Sequence, residues 1–418
     1  MRAKIFYFTL QDEQTKEEKL DWFERTKFED IPFDHITPDQ KANWINLTDN
    51  DFDTFLPLID KEVKAGRSQK AVFQLFSAGV KTQRDEWVYD FSKDALTERM
   101  KYFVEVYSDR LENGVKRELD IKWDRELEKY LSRKIKKIFK QENICFSAYR
   151  PYVKYYFYFD RHFNGMTYQI PALFPNPNAQ NPIIAVTNHT QIPFLIQAVD
   201  CIPEVAVGGR TGQCLPFYRY DKDGSRIDNI TDWSLTQFQT HHNDPTITKL
   251  DIFHYTYAVL HHPAYRTKYE RNLKREFPRS PFYADFDQWA TWGKTLMDLH
   301  LNYGTIQPYG LKRQEIAAKE KPKAKLKADK TQGVIILDEN IQLTGIPTIA
   351  WDYKLGNRSA LEWILDQYKE KKPKDPTIAK LFNTYKFANY KEQVIDLLDR
   401  VCTVSVKTME IIHQMPAE

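Results

Sequence analysis

The sequence predicts an α+β protein in which a mixed β region of short strands is flanked by amphipathic helices, with a small C-terminal subdomain of a hairpin and helices. Residues 144–220 alternate aromatic and β-branched runs with Pro, Gly and Asn, which is typical of short strands joined by turns. On both sides of this region apolar residues recur at three- and four-residue steps, as they do along one face of a helix.

The first part of the chain contains weaker signals. Residues 3–10 are rich in aromatic and β-branched side chains and favour a strand. A short helix is expected from Lys16 to Lys27, followed by a turn into another helix over 36–44, where a threonine and a proline suit the first helical positions. Two short strands are expected next, from Val72 to Phe76 and from Glu86 to Phe91.

Two helices are predicted before the β region. Ser92 suits the N-cap of a helix that runs to about Asn113, where Gly114 can end it in the left-handed conformation. A second helix is expected from Asp124 to Lys140, with its apolar residues inward and its lysines and arginines outward. Residues 246–303 again show helical periodicity, in two or three segments.

The C-terminal part opens with the Lys-rich, Pro-containing run 319–330, which interrupts the apolar periodicity and favours a flexible or surface-lying connector. After it we expect a hairpin from Gly333 to Tyr353, a helix that begins near Ser359, and a terminal helix from about Tyr390 to His413.

Composition excludes several classes of protein. The chain has 418 residues, of which 42% are hydrophobic and 28% charged, so it is globular and long enough for two or three domains. It contains no run of about 18 uncharged apolar residues, so a membrane-spanning helix is not expected. The N-terminus is acidic where a signal peptide is apolar, and the four cysteines are far apart, which favours the cytoplasm over secretion, disulfides or structural zinc.

The net charge of +3 hides an uneven distribution. Residues 1–62 hold 8 basic and 15 acidic side chains, whereas 116–140 hold 10 basic and 5 acidic, 255–279 hold 6 and 2, and 312–330 hold 8 and 3. Basic blocks of this kind suit phosphate binding, although long helices also expose lysine and arginine to solvent without any ligand. Three such blocks favour a polyanionic partner.

The catalytic motifs are weak. No Pro-Pro dipeptide occurs, and Gly208-Gly209 lacks a following helix pattern, so the sequence carries neither the catalytic loop nor the cofactor turn of an amino-methyltransferase. Asp338, followed by Asp352 and Lys354, resembles a metal-dependent nuclease, in which carboxylates hold a divalent ion and a lysine stabilises developing charge. The same residues suit a packed hairpin, and acidic-x-Lys triplets are common by chance.

The β region is the best candidate for contact with nucleic acid. It interleaves aromatic residues with arginine and lysine, and its loops carry arginine, asparagine and glutamine, the side chains that form paired hydrogen bonds with base edges. Core packing remains the alternative role of the aromatic strands. The candidate DNA-binding residues are Arg150, Lys154, Arg161, Asn188, Gln191, Arg210, Gln213, Arg219 and Lys222, with Arg271, Lys274 and Arg275 from a basic helix. The basic helices 129–140 and 266–279 would hold phosphates.

Long segments of the chain resemble the C-terminal specificity region of type ISP single-polypeptide restriction-modification enzymes, in the same order. The segments include AVFQLFSAGVKTQRDEWVYDFSKDAL (71–96), YRPYVKYYFYFD (149–160), QCLPFYRYD (213–221), 247–282, LMDLHLNYG (296–304) and GIPTIAWDYKLGNRSALEWILDQY (345–368). In that family one polypeptide carries a nuclease, a helicase-like ATPase, an adenine N6-methyltransferase and a target-recognition domain, in defence against phage.

The resemblance implies recognition of a double-stranded DNA target, with no catalytic residue and no cofactor in this chain. S-adenosylmethionine would bind to a methyltransferase core, to which the chain belongs as a split subunit or a C-terminal part. The alternatives are the nuclease of Asp338, Asp352 and Lys354, and a structural partner without DNA affinity. The expected division is a methyltransferase-like strand and connector (1–65), a strand pair and helical region (66–143), a target-recognition region (144–311), a Lys-rich linker (312–332) and a C-terminal hairpin with helices (333–418).

Overall fold

The computed structural model describes residues 3–11, 13–38, 44, 50–189 and 192–417, with only the backbone of Asn188 and His189. Helices alternate with small sheets, which confirms the predicted α+β class. Three clusters of buried apolar side chains form the cores. Among the described residues, no helix is both long and apolar enough to cross a membrane.

The N-terminal part begins with a two-stranded sheet. Its elements are β1 (Ile5–Tyr7), α1 (Lys16–Arg25), β2 (Asp34–Ile36), β3 (Leu56–Pro57), α2 (Lys61–Lys64), α3 (Asp85–Val88), β4 (Tyr89–Asp90), α4 (Lys93–Asn113) and α5 (Arg125–Ser132). β1 pairs with β2 in the antiparallel sense, and α1 starts with a capping box between Thr15 and Glu18. Most of the helix expected over 36–44 lies outside the described residues.

The strands expected from Val72 to Phe76 and from Glu86 to Phe91 are largely wrong. The first segment is threaded through the core, where Phe73 makes only an isolated bridge with Ile230. The second is a helical turn, α3, followed by the two-residue strand β4. Both segments are apolar because they are buried, and burial alone does not distinguish a strand from other conformations.

The two predicted helices of this part differ in outcome. α4 is confirmed: Ser92 accepts a hydrogen bond from the Ala95 amide, and Gly114 ends the helix with φ 67°. The helix from Asp124 to Lys140 is wrong beyond Ser132, because the chain turns at Lys134, whose φ is 52°. The 129–140 block is therefore not one basic helix.

The central region confirms the expected short strands. Its elements are β5 (Ile144–Arg150), β6 (Val153–Tyr158), α6 (Ile170–Leu173), β7 (Ile183–His189), β8 (Ile192–Val199), β9 (Ile202–Pro203), β10 (Gln213–Pro216), β11 (Tyr218–Tyr220) and β12 (Arg226–Asp228). One sheet has the order β4-β6-β5-β9 and another the order β10-β7-β8, while β11 pairs with β12.

A helical layer follows, as the periodicity predicts. Its elements are α7 (Asp232–His242), α8 (Lys249–His261), α9 (Pro263–Lys268), α10 (Glu270–Leu273), β13 (Arg279–Ser280), which pairs with β3, and α11 (Phe286–Leu301). α8 is buried on most sides and packs along α11. The helices cross so closely that a Cβ at Gly293 would lie 1.8 Å from the His254 carbonyl oxygen. The helix α7 was not predicted from the apolar periodicity of the sequence.

The C-terminal part contains a four-stranded sheet covered by helices. Its elements are β14 (Lys312–Glu315), β15 (Ala324–Asp329), β16 (Val334–Asp338), β17 (Ile341–Thr344), α12 (Thr348–Asp352), β18 (Lys354–Leu355), β19 (Arg358–Ser359), α13 (Ala360–Gln367) and α14 (Lys391–Ile412). The sheet order is β14-β17-β16-β15, so the hairpin predicted from Gly333 to Tyr353 is confirmed over β16–β17, whereas the end of that range is the helix α12. The helix capped by Ser359 and the long terminal helix are confirmed as well.

The predicted Lys-rich linker over 312–332 is wrong, because it contributes two strands to this sheet. Within β15, Leu326 is 2% exposed, whereas its neighbours Lys325 and Lys327 point to solvent. The strand is irregular here, because Leu326 adopts φ 45° and the pairing of β15 with β16 shifts register between Ala324 and Lys327. The abundance of lysine conceals the strand, since only one large apolar side chain marks the inner face.

Candidate nucleic-acid interface

The β7–β8 hairpin is the centre of the candidate site. Thr187 pairs with Leu195 and His189 with Ile192, and this end of the hairpin is called its tip. Of the residues predicted to bind DNA, Gln191 and the side chain of Asn188 lie outside the described part of the chain. Gln213 pairs with Val186 and thus begins β10 at the same end of the sheet.

An open groove of about 760 Å³ runs along one face of the hairpin. The described side chains that line it include five basic and three acidic ones: Arg266, Arg271, Lys274, Arg275 and Lys354 against Glu13, Glu270 and Asp352. Phe194 of β8 also lines it, as do Tyr7, Thr9, Leu10 and Gln11. The predicted residues Arg271, Lys274 and Arg275 therefore lie together, beside the β7–β8 hairpin.

Arg266 fastens the basic wall to the hairpin. Its guanidinium donates a 2.5 Å hydrogen bond to the Phe194 carbonyl oxygen and lies 5.9 Å from the centre of the Phe194 ring. Burial lowers the pKa of the Arg266 guanidinium. Burial also lowers the pKa of Lys274, which is less deeply buried and whose ammonium contacts Glu270 at 2.9 Å. Arg275 is exposed at the mouth. The cations thus form a graded surface, from an anchored interior to a solvated rim.

A glycine-rich loop lies on the other face of the hairpin. Leu195 follows Phe194 in the strand and so points to the opposite side, where it meets Gly208. A Cβ at Gly208 would lie 2.5 Å from Thr187 Oγ1, and one at Gly212 would lie 2.3 Å from the Val186 carbonyl oxygen. Arg210 is exposed between these two contacts. The loop therefore holds Arg210 close to the hairpin tip.

Two other residues predicted to bind DNA, Arg150 and Lys154, form ion pairs within the protein. Arg150 is 17% exposed in its side chain and contacts Glu204 at 2.6 Å, while Lys154 contacts Asp200 at 2.8 Å. Burial raises the pKa of Glu204, and the charge of Arg150 opposes that shift. Arg150 joins the end of β5 to the residue after β9, Lys154 joins β6 to the residue after β8, and the charges of both are compensated before any ligand arrives.

The remaining predicted residues lie apart from the tip. Arg219 is in β11 and Lys222 is in the turn before β12. Both follow the end of β10 that lies farther from the tip of the β7–β8 hairpin. Arg161 is exposed in the loop after β6. The structure therefore does not bring Arg161, Arg219 and Lys222 to the groove, and their contact with DNA stays a prediction.

Ion pairs with acidic residues of this chain occur in all three basic blocks, including Lys268 with Asp51 at 3.1 Å and Lys274 with Glu270 at 2.9 Å in the 255–279 block. In the 116–140 block, Lys136 contacts Glu112 at 3.3 Å and Lys137 contacts Asp160 at 3.2 Å. In the 312–330 block, Arg313 contacts Glu392 at 2.9 Å and Lys330 contacts Glu362 at 3.0 Å. Only the 255–279 block contributes residues to the described lining of the groove, namely Arg266, Arg271, Lys274 and Arg275. Its position, and not freedom from ion pairs, distinguishes it from the other two blocks.

The nuclease alternative gains no support. Asp338 accepts hydrogen bonds from the amides of Asn340 and Ile341, both at 2.8 Å, and contacts Lys391 at 3.0 Å, so it closes the hairpin turn. Within the described ranges, no group of three or more His, Cys, Asp or Glu side chains is placed to hold a metal ion. Asp352 and Lys354 line the basic groove instead. Sequence reasoning had missed Lys354 as a groove residue, because it was assigned to the nuclease pattern.

Comparisons with known proteins agree with this geometry. Residues 71–397 match the type ISP C-terminal specificity domain. The DrdV–DNA complex solved by cryo-EM is 44% identical, with a TM-score of 0.85, over 100% of this chain and 43% of that one. The ATP-dependent type ISP enzyme LlaBIII bound to DNA is 27% identical, with a TM-score of 0.78, over 92% of this chain and 25% of that one.

A nuclease-deletion mutant of the type ISP enzyme LlaGI, in complex with a DNA substrate mimic, is 29% identical, with a TM-score of 0.76, over 99% of this chain and 39% of that one. This chain thus spans less than half the length of these three relatives. No curated protein matches it. Because the specificity-domain match covers most of its residues, the chain belongs to the family of type ISP C-terminal specificity domains.

Proposed function

We propose that this chain recognises a specific double-stranded DNA sequence on behalf of a type ISP restriction-modification enzyme. The observation that carries the proposal is the placement of the β7–β8 tip between a basic groove on one face and the Arg210 loop on the other. The three solved relatives, which are bound to DNA or a DNA mimic, support it.

The groove would bind the DNA backbone, and the tip of the hairpin would contact the bases. The major groove of B-DNA is about 12 Å wide and admits a two-stranded β-ribbon, which suits the β7–β8 hairpin. Arg271, Lys274, Arg275 and Lys354 would hold phosphates and set the register of the protein on the duplex. Gln213 and Arg210 would then contact base edges, where the sequence is distinguished, and the residue types of Asn188 and Gln191 suit the same contacts.

A salt titration tests this function. If the four groove cations each neutralise one phosphate, the logarithm of the affinity for duplex DNA should fall against the logarithm of salt with a slope of about −3 to −4. Binding is measured by fluorescence anisotropy with a mixture of genomic duplexes, since the target sequence is unknown. An affinity that does not change between low and physiological salt would contradict the phosphate contacts.

The rest of the enzyme would be the second partner, and we propose that it is an adenine N6-methyltransferase core with S-adenosylmethionine. In this chain Gly208 and Gly209 lead into strand β10 rather than a helix, which supports the assignment of the cofactor to the core. The contact surface would be the exposed aromatic face of the N-terminal part, where Phe6, Phe23 and Phe28 are 58%, 57% and 79% exposed. Apolar clusters of this kind are typical of protein interfaces.

Replacing Phe23 and Phe28 together with serine should weaken association with a separately produced core by about 10-fold or more, because exposed aromatic anchors dominate interface energies. Size-exclusion chromatography of the mixed chains measures this effect, with Leu250→Ser as the control, since Leu250 is 43% exposed elsewhere on the surface. If the double variant and the control associate equally well with the core, the aromatic face takes no part in docking.

A further inference from the structure

We propose that Arg210 is a specificity-determining residue that reads one guanine in the major groove of the DNA target. The inference rests on the proposed function and adds the base and the residue that reads it. It follows from three features of the loop: its anchored ends, the glycines around Arg210, and the availability of the guanidinium.

The loop that carries Arg210 is anchored at its start by Glu204. The amide of Glu204 donates a 3.0 Å hydrogen bond to the Ala148 carbonyl oxygen, and its carboxylate accepts hydrogen bonds from the Ala206 amide at 2.8 Å and from Arg150 at 2.6 Å. Farther on, the Gly212 amide donates to the Val205 carbonyl oxygen at 3.2 Å. Arg150 therefore positions the loop from within, which explains why so basic a side chain is buried there.

The glycines leave the backbone at Arg210 little freedom to move. Gly209 adopts φ 84°, a conformation that other residues rarely take, and a Cβ there would lie 2.7 Å from Trp363 Cη2. The contacts of Gly208 and Gly212 with the β7–β8 hairpin fix the other sides of the loop. Motion is thereby confined mainly to the Arg210 side chain, which reduces the entropy lost when it binds a base.

The Arg210 guanidinium is available for a ligand. It is exposed and makes no ion pair or hydrogen bond with any residue that the structure describes. Its donors form a planar fork, which matches the O6 and N7 acceptors of guanine in the major groove. Gln213 and the hairpin tip lie on the same end of the sheet, so a guanine contacted by Arg210 would belong to the same target as the bases facing the tip.

Selection of binding sites from a randomised duplex library tests the inference, with the native chain, Arg210→Ala, Arg210→Lys and the neighbouring control Thr211→Ala. We expect the native chain and the control to select a G·C pair at one position that both Arg210 variants accept with any base. The preference for guanine there should fall by about 10- to 100-fold, while the salt slope changes by at most about one.

A second measurement identifies the atoms in contact. Replacing the selected guanine with 7-deazaguanine removes its N7 acceptor, so it should weaken the native chain and leave Arg210→Ala unchanged. If Arg210→Ala keeps the full sequence preference, or loses affinity equally on every duplex, Arg210 does not read a base and the inference is wrong. If the native chain binds no duplex at all, the proposed function itself fails, which is a separate outcome.

Discussion

Replacing Gly293 with alanine is expected to destabilise the protein by about 3 kcal/mol or more, a loss at the upper end of those seen for overpacked cores. The added methyl group would lie 1.8 Å from the carbonyl oxygen of His254, where α11 crosses α8. Both groups belong to helices, so neither can move alone. The crossing must widen, and the aromatic core between the two helices would lose packing contacts.

Urea denaturation followed by tryptophan fluorescence measures this loss, and Gly304→Ala is the matched control. A Cβ at Gly304 would have no neighbour within 4 Å, and its φ is not in the left-handed region. The control should therefore unfold at the same urea concentration as the native chain. If Gly293→Ala unfolds there as well, the close approach of α8 and α11 is not present in solution.

Removing the groove cations is expected to produce the largest effect on DNA binding. A variant with Lys274→Ala, Arg275→Ala and Lys354→Ala should lose about 100-fold in affinity at low salt, if each phosphate contact contributes about 1 kcal/mol. Its salt slope should become less negative by up to about three, because fewer counterions are released. Both quantities come from one anisotropy titration series.

The control variant replaces three exposed lysines that do not line the groove, namely Lys93, Lys312 and Lys369. It changes the net charge by the same amount, so it separates a local contact from a general electrostatic effect. We expect its salt slope to match that of the native chain. Equal losses in the two triple variants would show that DNA does not enter the groove.

The long elements could be predicted because their signals are local. The helix between Ser92 and Gly114 has a cap at each end and a regular apolar face, and the structure follows it closely. The strand β15 could not be predicted in this way, because Leu326 is its only large buried side chain and the partner of Lys325, Glu339, lies beyond the next strand of the chain. A sequence does not display such distant partners.

The candidate site, like the fold, could be predicted from the sequence only in part. Sequence alone determined which side chains could serve, since arginine, asparagine and glutamine carry the donors and acceptors that bases require. It could not separate Arg150 from Arg210, since both are arginines of the predicted β region. The fold makes that distinction, because it places Glu204 beside Arg150 and no described partner beside Arg210.

The sequence by itself thus determined the fold class, the helix between Ser92 and Gly114, the terminal helix, the β16–β17 hairpin and the chemical types of the candidate interface residues, all of which depend on local periodicity and composition. Only the tertiary structure decided which charges remain available for DNA. Availability depends on partners that are distant in the chain, such as Phe194 for Arg266 across 72 residues. It also depends on the close packing of glycines around the β7–β8 hairpin, which no local pattern encodes.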